Sequence, residues 1–295
     1  MNGNPNNTGQ QARKVTLSSL LLNALLVAVK LIAGFAAQSM ALIADGLHSF
    51  TDIASDVLVL IGLKYGHKPH DWDHPYGHYR FSSLSEFCVG LLLLSFAIGL
   101  IFKSVQAFLT GEMSDPGIPV IVVAGGSLIL KEILFWWTRS VARRTKSSLL
   151  MANAWHHRSD SVSSLLIAIA LIFGHFGGER LYFMDKLAAI GLSGFLVVQG
   201  AKIVLSSGND LLDRAPSAAI LNDFNEHILD IEGVRSFHEF RCRKVGDFYE
   251  VDVHIQVDPS LSVVEAHEIS HRVKDDLIKE HPEIVNMLVH IEPEQ

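Results

Sequence analysis

The chemistry of this sequence is concentrated in two pairs with the same spacing, His48-x-x-x-Asp52 and His156-x-x-x-Asp160. On a helix, residues four apart lie one above the other, with roughly 5–6 Å between Cβ atoms. Both pairs fall inside long apolar runs, where ionisable side chains are costly and mark functional sites by default. Two such faces meeting across a bundle supply two imidazoles and two carboxylates, a tetrahedral N₂O₂ set suited to Zn²⁺. Three neighbours are less committed. Asp45, near the start of its run, reads as a helix cap or as the lining of an entrance. Asp56 continues the four-residue row with no assigned role, and His157 points off the ligand face.

Two further clusters carry metal-ligand residue types. The loop after the first pair holds His67, His70, Asp71, Asp73, His74 and His78. Within it, Asp71-x-x-His74-x-x-x-His78 can wrap one ion, with Pro75 and Gly77 bending the chain. Such a site is more open than one clamped between helices. The last third of the chain holds His238, His254, His267, His271, His290 and Glu292, which read equally well as ligands or as ordinary surface histidines. A two-residue Gly246-Asp247 turn would pair His238 with Ile255 on an apolar face, whereas an odd loop or a bulge would move it across.

The elements that must position these residues are legible from apolar patterning. The chain has 295 residues, 49% of them hydrophobic, and the apolar runs crowd before about residue 207 while charges crowd into the last third. A helix needs about 20 mostly apolar residues to cross a bilayer. Six segments qualify: 15–37, 41–65, 84–109, 118–141, 149–173 and 182–206. Arg13, Lys14, Lys64, Lys68, Arg80, Arg139, Arg143, Arg144 and Lys146 fall on one side of this bundle. Gln38, Glu112, Asp115 and the mixed set Glu179, Arg180, Asp185 and Lys186 fall on the other. The positive-inside rule then places both termini in the cytoplasm. Beyond Asp213 the pattern becomes helix 217–231, strand 234–243, strand 248–257, helix 262–279 and strand 284–292. That α-β-β-α-β order makes a small open-sheet α+β domain. The expected organisation is a tail (1–14), a six-helix membrane domain (15–208) and a cytoplasmic domain (209–295). A net charge of −7, with no basic stripe, excludes nucleic acid as a partner. Cys88 and Cys242 form neither a disulfide framework nor a CxxC knuckle. The amino terminus lacks the pattern of a cleaved signal peptide, so the first run reads as a retained span.

The motifs ADGLHSFTD, DWDHPYGHYR, HHRSD and LLDR, together with six spans and a small C-terminal domain, resemble the cation diffusion facilitator family over nearly the whole chain. The resemblance implies a homodimeric metal/proton antiporter working by alternating access, with a metallochaperone-like cytoplasmic domain. It implies that His48, Asp52, His156 and Asp160 form the transport site and that Asp71, His74 and His78 form a loop site. It further implies that His238, His254, His267, His290 and Glu292 form a regulatory cluster at a cytoplasmic dimer interface. Arg80 and Asp213 match a charge pair joining the loop to the end of the sixth span. His48 stands where some bacterial members carry Asp, and resembles the more zinc-selective members. Ser82 stands where the family often has Glu, with Glu86 further along. Ile291 replaces a polar residue of some cytoplasmic clusters.

The expected function is therefore efflux of a divalent transition metal, Zn²⁺ first and Cd²⁺, Fe²⁺, Co²⁺ or Mn²⁺ as alternatives, with protons as coupling ion, in the lipid bilayer of a bacterial-type inner membrane. A zinc metalloenzyme is disfavoured because four ligands fill a tetrahedral site and no separate general base accompanies them. A membrane metal sensor is disfavoured because the sequence holds no kinase, phosphatase or DNA-binding signature.

Overall fold

The computed structural model describes residues 5–61, 68, 70–112, 115–145 and 148–294. Lys64, His67 and Lys146, and the expected end of the second span at Tyr65, lie outside the described residues, as does the side chain of Asp56. The six long helices are α1 (Pro5–Ala36), α2 (Met40–Ile61), α3 (Phe81–Thr110), α4 (Gly117–Thr145), α5 (Ser148–Phe176) and α6 (Phe183–Leu211). The remainder is α7 (Ala218–Asp230), β1 (Ser236–Val245), β2 (Phe248–Val257), α8 (Val263–Glu280) and β3 (Ile284–Pro293). The chain sorts into two compact units, residues 1–57 with 89–202 and residues 58–88 with 203–295.

Among the described residues, five helices are long and apolar enough to cross a membrane: α1, α3, α4, α5 and α6. The exception, α2, carries Asp45, Asp52 and Asp56 in its 22 residues; these carboxylates lower its mean hydropathy and also give it its chemistry. Helix α1 begins at Pro5, ahead of the apolar run expected to open it. Proline is well tolerated at the first helical position, and hydropathy marks where a helix enters lipid, not where it starts to coil.

In the first unit, small residues let the helices approach. A Cβ built on Gly34 would lie 2.8 Å from Ile43 Cγ1, and one on Gly46 would lie 2.7 Å from Leu31 Cδ2. The α1–α2 contact therefore depends on glycine on both helices, the small-residue packing expected where no hydrophobic force drives association. Large apolar side chains such as Leu21, Phe102 and Phe176 point outward, as lipid-facing positions do. The start of α2 is fixed by a carboxylate from α6. Asp185 accepts from Ser39 Oγ at 2.6 Å and from the backbone N–H groups of Met40 and Ala41 at 3.1 and 3.2 Å. A buried anion on unsatisfied N-terminal N–H groups suits the helix dipole. Asp185 is thus a cap buried in the bundle, not the loop charge its sequence position implied.

The second unit contains the expected α-β-β-α-β domain. Its sheet runs β1-β2-β3, with β1 and β2 antiparallel and β2 and β3 parallel across α8. Alternation on β2 puts Val251, Val253, Ile255 and Val257 on one face, where they bury against Phe224 and Ile228 of α7 and Ile269, Val273 and Leu277 of α8. Ser262 and Glu265 form a reciprocal capping box that starts α8. Gly246, at φ 66°, turns β1 into β2. The β1–β2 register shifts between His238 and Arg241, where Glu239 adopts φ 48°. This bulge pairs His238 with His254 instead of Ile255, so of the two registers open in the sequence the bulged one is adopted.

Candidate metal centres

Helices α2 and α5 bring the two four-residue pairs together in the first unit. One ligand atom from each of His48, Asp52 and Asp160 lies within 4.8 Å of the others. His156 stands at the edge of this group and not within it: its half-exposed ring places Nε2 3.8 Å from Asp52 Oδ1 and 3.9 Å from Asp160 Oδ2, and it must swing inward to complete the set. His48 Nε2 lies 3.9 Å from Asp160 Oδ1. Zn–N and Zn–O bonds of 2.0–2.2 Å in a tetrahedron separate ligand atoms by about 3.4 Å. The pairs at 3.8–3.9 Å close by about half an ångström on side-chain rotation. His157 lies off this set: it is buried, with Nε2 2.7 Å from Ser19 Oγ.

The structure adds two lysines that the motif reading passed over. Lys131 of α4 places Nζ 3.2 Å from Asp160 Oδ2 and donates to Ser49 Oγ at 3.2 Å. Lys30 of α1 donates to the same Ser49 oxygen at 3.2 Å and pairs with Asp45 Oδ2 at 2.7 Å. Ser164 of α5 accepts from Lys30 at 3.3 Å and donates to Asp45 at 3.2 Å. Two buried ammoniums thus meet at the hydroxyl next to His48, each offset by one carboxylate. Asp45, buried and paired with Lys30, is neither a cap nor an entrance residue. The signal was available, since a lysine within an apolar run is an intramembrane ion needing a partner. The identity of the partner was not.

In the second unit, one ligand atom from each of Asp71, His74 and His78 likewise lies within 4.8 Å of the others. His78 Nδ1 is buried and makes no hydrogen bond among the described residues. Asp71 is already engaged: Lys68 donates to Oδ2 at 2.6 Å and the His74 N–H donates to Oδ1 at 2.9 Å. The Lys68 ammonium holds the Asp71 carboxyl far below the usual carboxylate range. A metal reaching Asp71 therefore has to displace the Lys68 ammonium from its carboxylate. Lys68→Gln is expected to tighten metal binding at this loop a fewfold, the worth of an exposed pair, measured by equilibrium dialysis of Zn²⁺ at low salt. Unchanged affinity would show that Lys68 does not compete. Arg80 pairs with Asp213 and donates to Leu211 O at 3.0 Å, the charge pair expected from the resemblance. Arg243 NH1 also reaches Asp213 Oδ2, at 3.5 Å.

On the polar face of the sheet, Glu292 is the hub. His254 Nδ1 lies 3.0 Å, His238 Nε2 3.2 Å and His290 Nε2 3.5 Å from its carboxylate oxygens. One ligand atom from each of His238, His254 and Glu292 lies within 4.8 Å of the others. His267 is not brought into this group. It is exposed on α8, its ring 4.6 Å from that of His271. Cys242, on β1, packs against the apolar core, and burial pushes its thiol up to about 12.

The chain is similar to known proteins along nearly its whole length. Residues 16–212 match the family model of the cation efflux transmembrane domain, and residues 216–294 match that of the cation efflux protein cytoplasmic domain. The chain is 32% identical over 300 residues to Metal tolerance protein C1 of Arabidopsis thaliana, covering 97% of this chain and 63% of that protein. It is 31% identical over 268 residues to an uncharacterized transporter of Methanocaldococcus jannaschii, covering 91% and 94%. It is 26% identical over 288 residues to the manganese efflux system protein MneP of Bacillus subtilis, covering 96% and 97%.

Proposed function

The chain belongs to the cation efflux, or cation diffusion facilitator, family of divalent-metal transporters, and we propose that its cargo is Zn²⁺, exchanged for protons by alternating access. The observation that carries this reading is the convergence of His48, Asp52 and Asp160 from α2 and α5, with His156 beside the two carboxylates. Two imidazoles favour Zn²⁺ over Mn²⁺, which prefers carboxylate, carbonyl and water ligands. The same atoms bind protons or metal but not both, so exchange follows from the ligand set. Membrane helices 15–208 form the conduit, with α2 as the sixth span. Residues 209–295 form a cytoplasmic domain, both termini face the cytoplasm and the membrane is the cell inner membrane. A second copy docks on the sheet face bearing His238, His254, His290 and Glu292, forming a homodimer that senses the cargo ion.

Lys131 belongs to the same mechanism. Without metal its ammonium balances Asp160. An incoming Zn²⁺ displaces that ammonium from the carboxylate, and its return to Asp160 helps expel the ion after the site reorients. A site designed only to hold zinc would have no use for such a competitor, whereas a carrier must release its cargo.

The test is metal uptake by proteoliposomes containing the purified chain, with Zn²⁺, Cd²⁺, Fe²⁺, Co²⁺ and Mn²⁺ compared under an imposed pH gradient. Zn²⁺ is expected to move fastest, and its flux to fall when the gradient is collapsed. In the same assay His48→Asp is expected to raise Cd²⁺ over Zn²⁺ about tenfold, equivalent to roughly 1.4 kcal/mol in relative affinity. Faster Mn²⁺ or Fe²⁺ flux would overturn the cargo, and gradient-independent flux the antiport.

A further inference from the structure

We propose that Asp223, His227 and His281 form a separate three-ligand site for a divalent ion of Zn²⁺ type, fastening α7 to the α8–β3 junction. It lies outside every motif that marks the transporter and away from the polar sheet face. One carboxylate oxygen and one nitrogen from each imidazole lie within 4.8 Å of one another.

Each ligand is placed by the fold. Asp223 and His227 are four residues apart on α7, one above the other on one face. His281 follows α8, and its backbone is pinned at both ends. Its N–H donates to Leu277 O at 2.9 Å, and its carbonyl accepts from the Ile284 N–H at 2.9 Å. Its ring is buried edge-on against Phe224, with centroids 4.7 Å apart. A buried imidazole so constrained has little rotational freedom to lose when it binds an ion.

Its two nitrogens face different partners. Nε2 lies 2.7 Å from His227 Nδ1. Nδ1 lies 3.8 Å from Asp223 Oδ2 and 3.7 Å from Glu283 Oε1. In a hydrogen bond between two imidazoles one nitrogen carries the proton and the other presents a lone pair; a divalent ion takes the place of that proton between the two rings, and the proton leaves to solvent. A tetrahedral ion needs its nitrogens about 3.3 Å apart, so the rings must part slightly. Asp223 is exposed and is free to swing inward. Two imidazoles and one carboxylate suit Zn²⁺, and the exposed side leaves a position for water or Glu283. An ion here ties the last turn of α7 to the entry of β3, a link the hydrophobic core does not supply in directional form.

The experiment is amide hydrogen exchange on the full chain in detergent, with Zn²⁺ alone as the probe against a chelated control. The readout is exchange in peptides spanning 218–231 and 277–286. At roughly ten times the Kd, bound metal is expected to slow exchange limited by opening of this link about tenfold, the factor 1 + [Zn²⁺]/Kd. His227→Gln and Asp223→Asn are each expected to remove that slowing. Any Zn²⁺ effect in peptides across β1 and β2, where the sheet-face cluster lies, is expected to survive. Should His227→Gln loosen α7 itself, the exposed Asp223→Asn still decides the matter. Absence of Zn²⁺ protection in the parent, or equal protection in the Asp223 variant, would overturn the site. The measurement uses no gradient and no flux, so its failure leaves the transport assignment untouched.

Discussion

Asp160→Asn is expected to reduce Zn²⁺ flux by at least about a hundredfold, since even the residues that orient metal ligands cost 10–100-fold when changed. The variant has a second consequence that must be separated from the first. Asp160 is the anion paired with the buried Lys131, 3.2 Å away. Removing it strands an ammonium inside the bundle, and breaking one side of a buried pair costs about 3–5 kcal/mol. Loss of flux in Asp160→Asn alone would therefore be ambiguous. In Lys131→Gln/Asp160→Asn both charges are gone and two neutral polar side chains can hydrogen-bond. This double variant is expected to regain the parent's thermal stability in detergent while remaining inactive in proteoliposomes. Asp52→Ala, which removes the other carboxylate, is expected to be equally inactive. If the double variant transports within tenfold of the parent, Asp160 is a structural counter-ion and not a ligand.

The same residue shows what the sequence makes legible. Two repeats of one four-residue spacing survive translation into space because helical periodicity is local: His48 with Asp52 and His156 with Asp160 must each share a face wherever the helices lie. That the two faces meet follows only from packing, yet an isolated pair would have been too costly in an apolar run. The lysines sit at the other extreme. Lys30 and Lys131 stand out in their runs as residue types, but Asp45 and Asp160 are reached across helix contacts that no periodicity encodes. The β1 bulge is hidden for a different reason. Glu239 adopts φ 48°, a left-handed conformation uncommon for a side chain of that kind, and nothing local announces it. That single residue decides whether His238 joins His254 and Glu292 or turns into the apolar core. The domain order, by contrast, is carried by clean alternation on β2 and by apolar stripes on α7 and α8. Asp185 was misread because its place in the chain resembles a loop, whereas its work is to cap a helix remote in sequence.

The largest effect on stability is expected at Lys30 and Asp45. Both side chains are 0% exposed and lie 2.7 Å apart. Ser49 and Ser164 accept further hydrogen bonds from the ammonium, and Ser164 donates to the carboxylate. A satisfied network of this kind in a low-dielectric interior contributes little when compared with apolar side chains of equal volume, because desolvation offsets the attraction. It becomes costly when half of it is removed. Lys30→Met leaves the Asp45 carboxylate with serine alone, and Asp45→Leu leaves the Lys30 ammonium beside Lys131 with its direct counter-ion gone. Each single variant is expected to lose about 3–5 kcal/mol, a fall on the order of 10 °C in the apparent melting temperature of the detergent-solubilised chain. The paired replacement Lys30→Met/Asp45→Leu is expected to recover most of that loss, and a double-mutant cycle reads the coupling directly. Single variants within a few degrees of the parent would show that water or a rearranged partner solvates these charges, and that the buried pair does not hold α1 against α2.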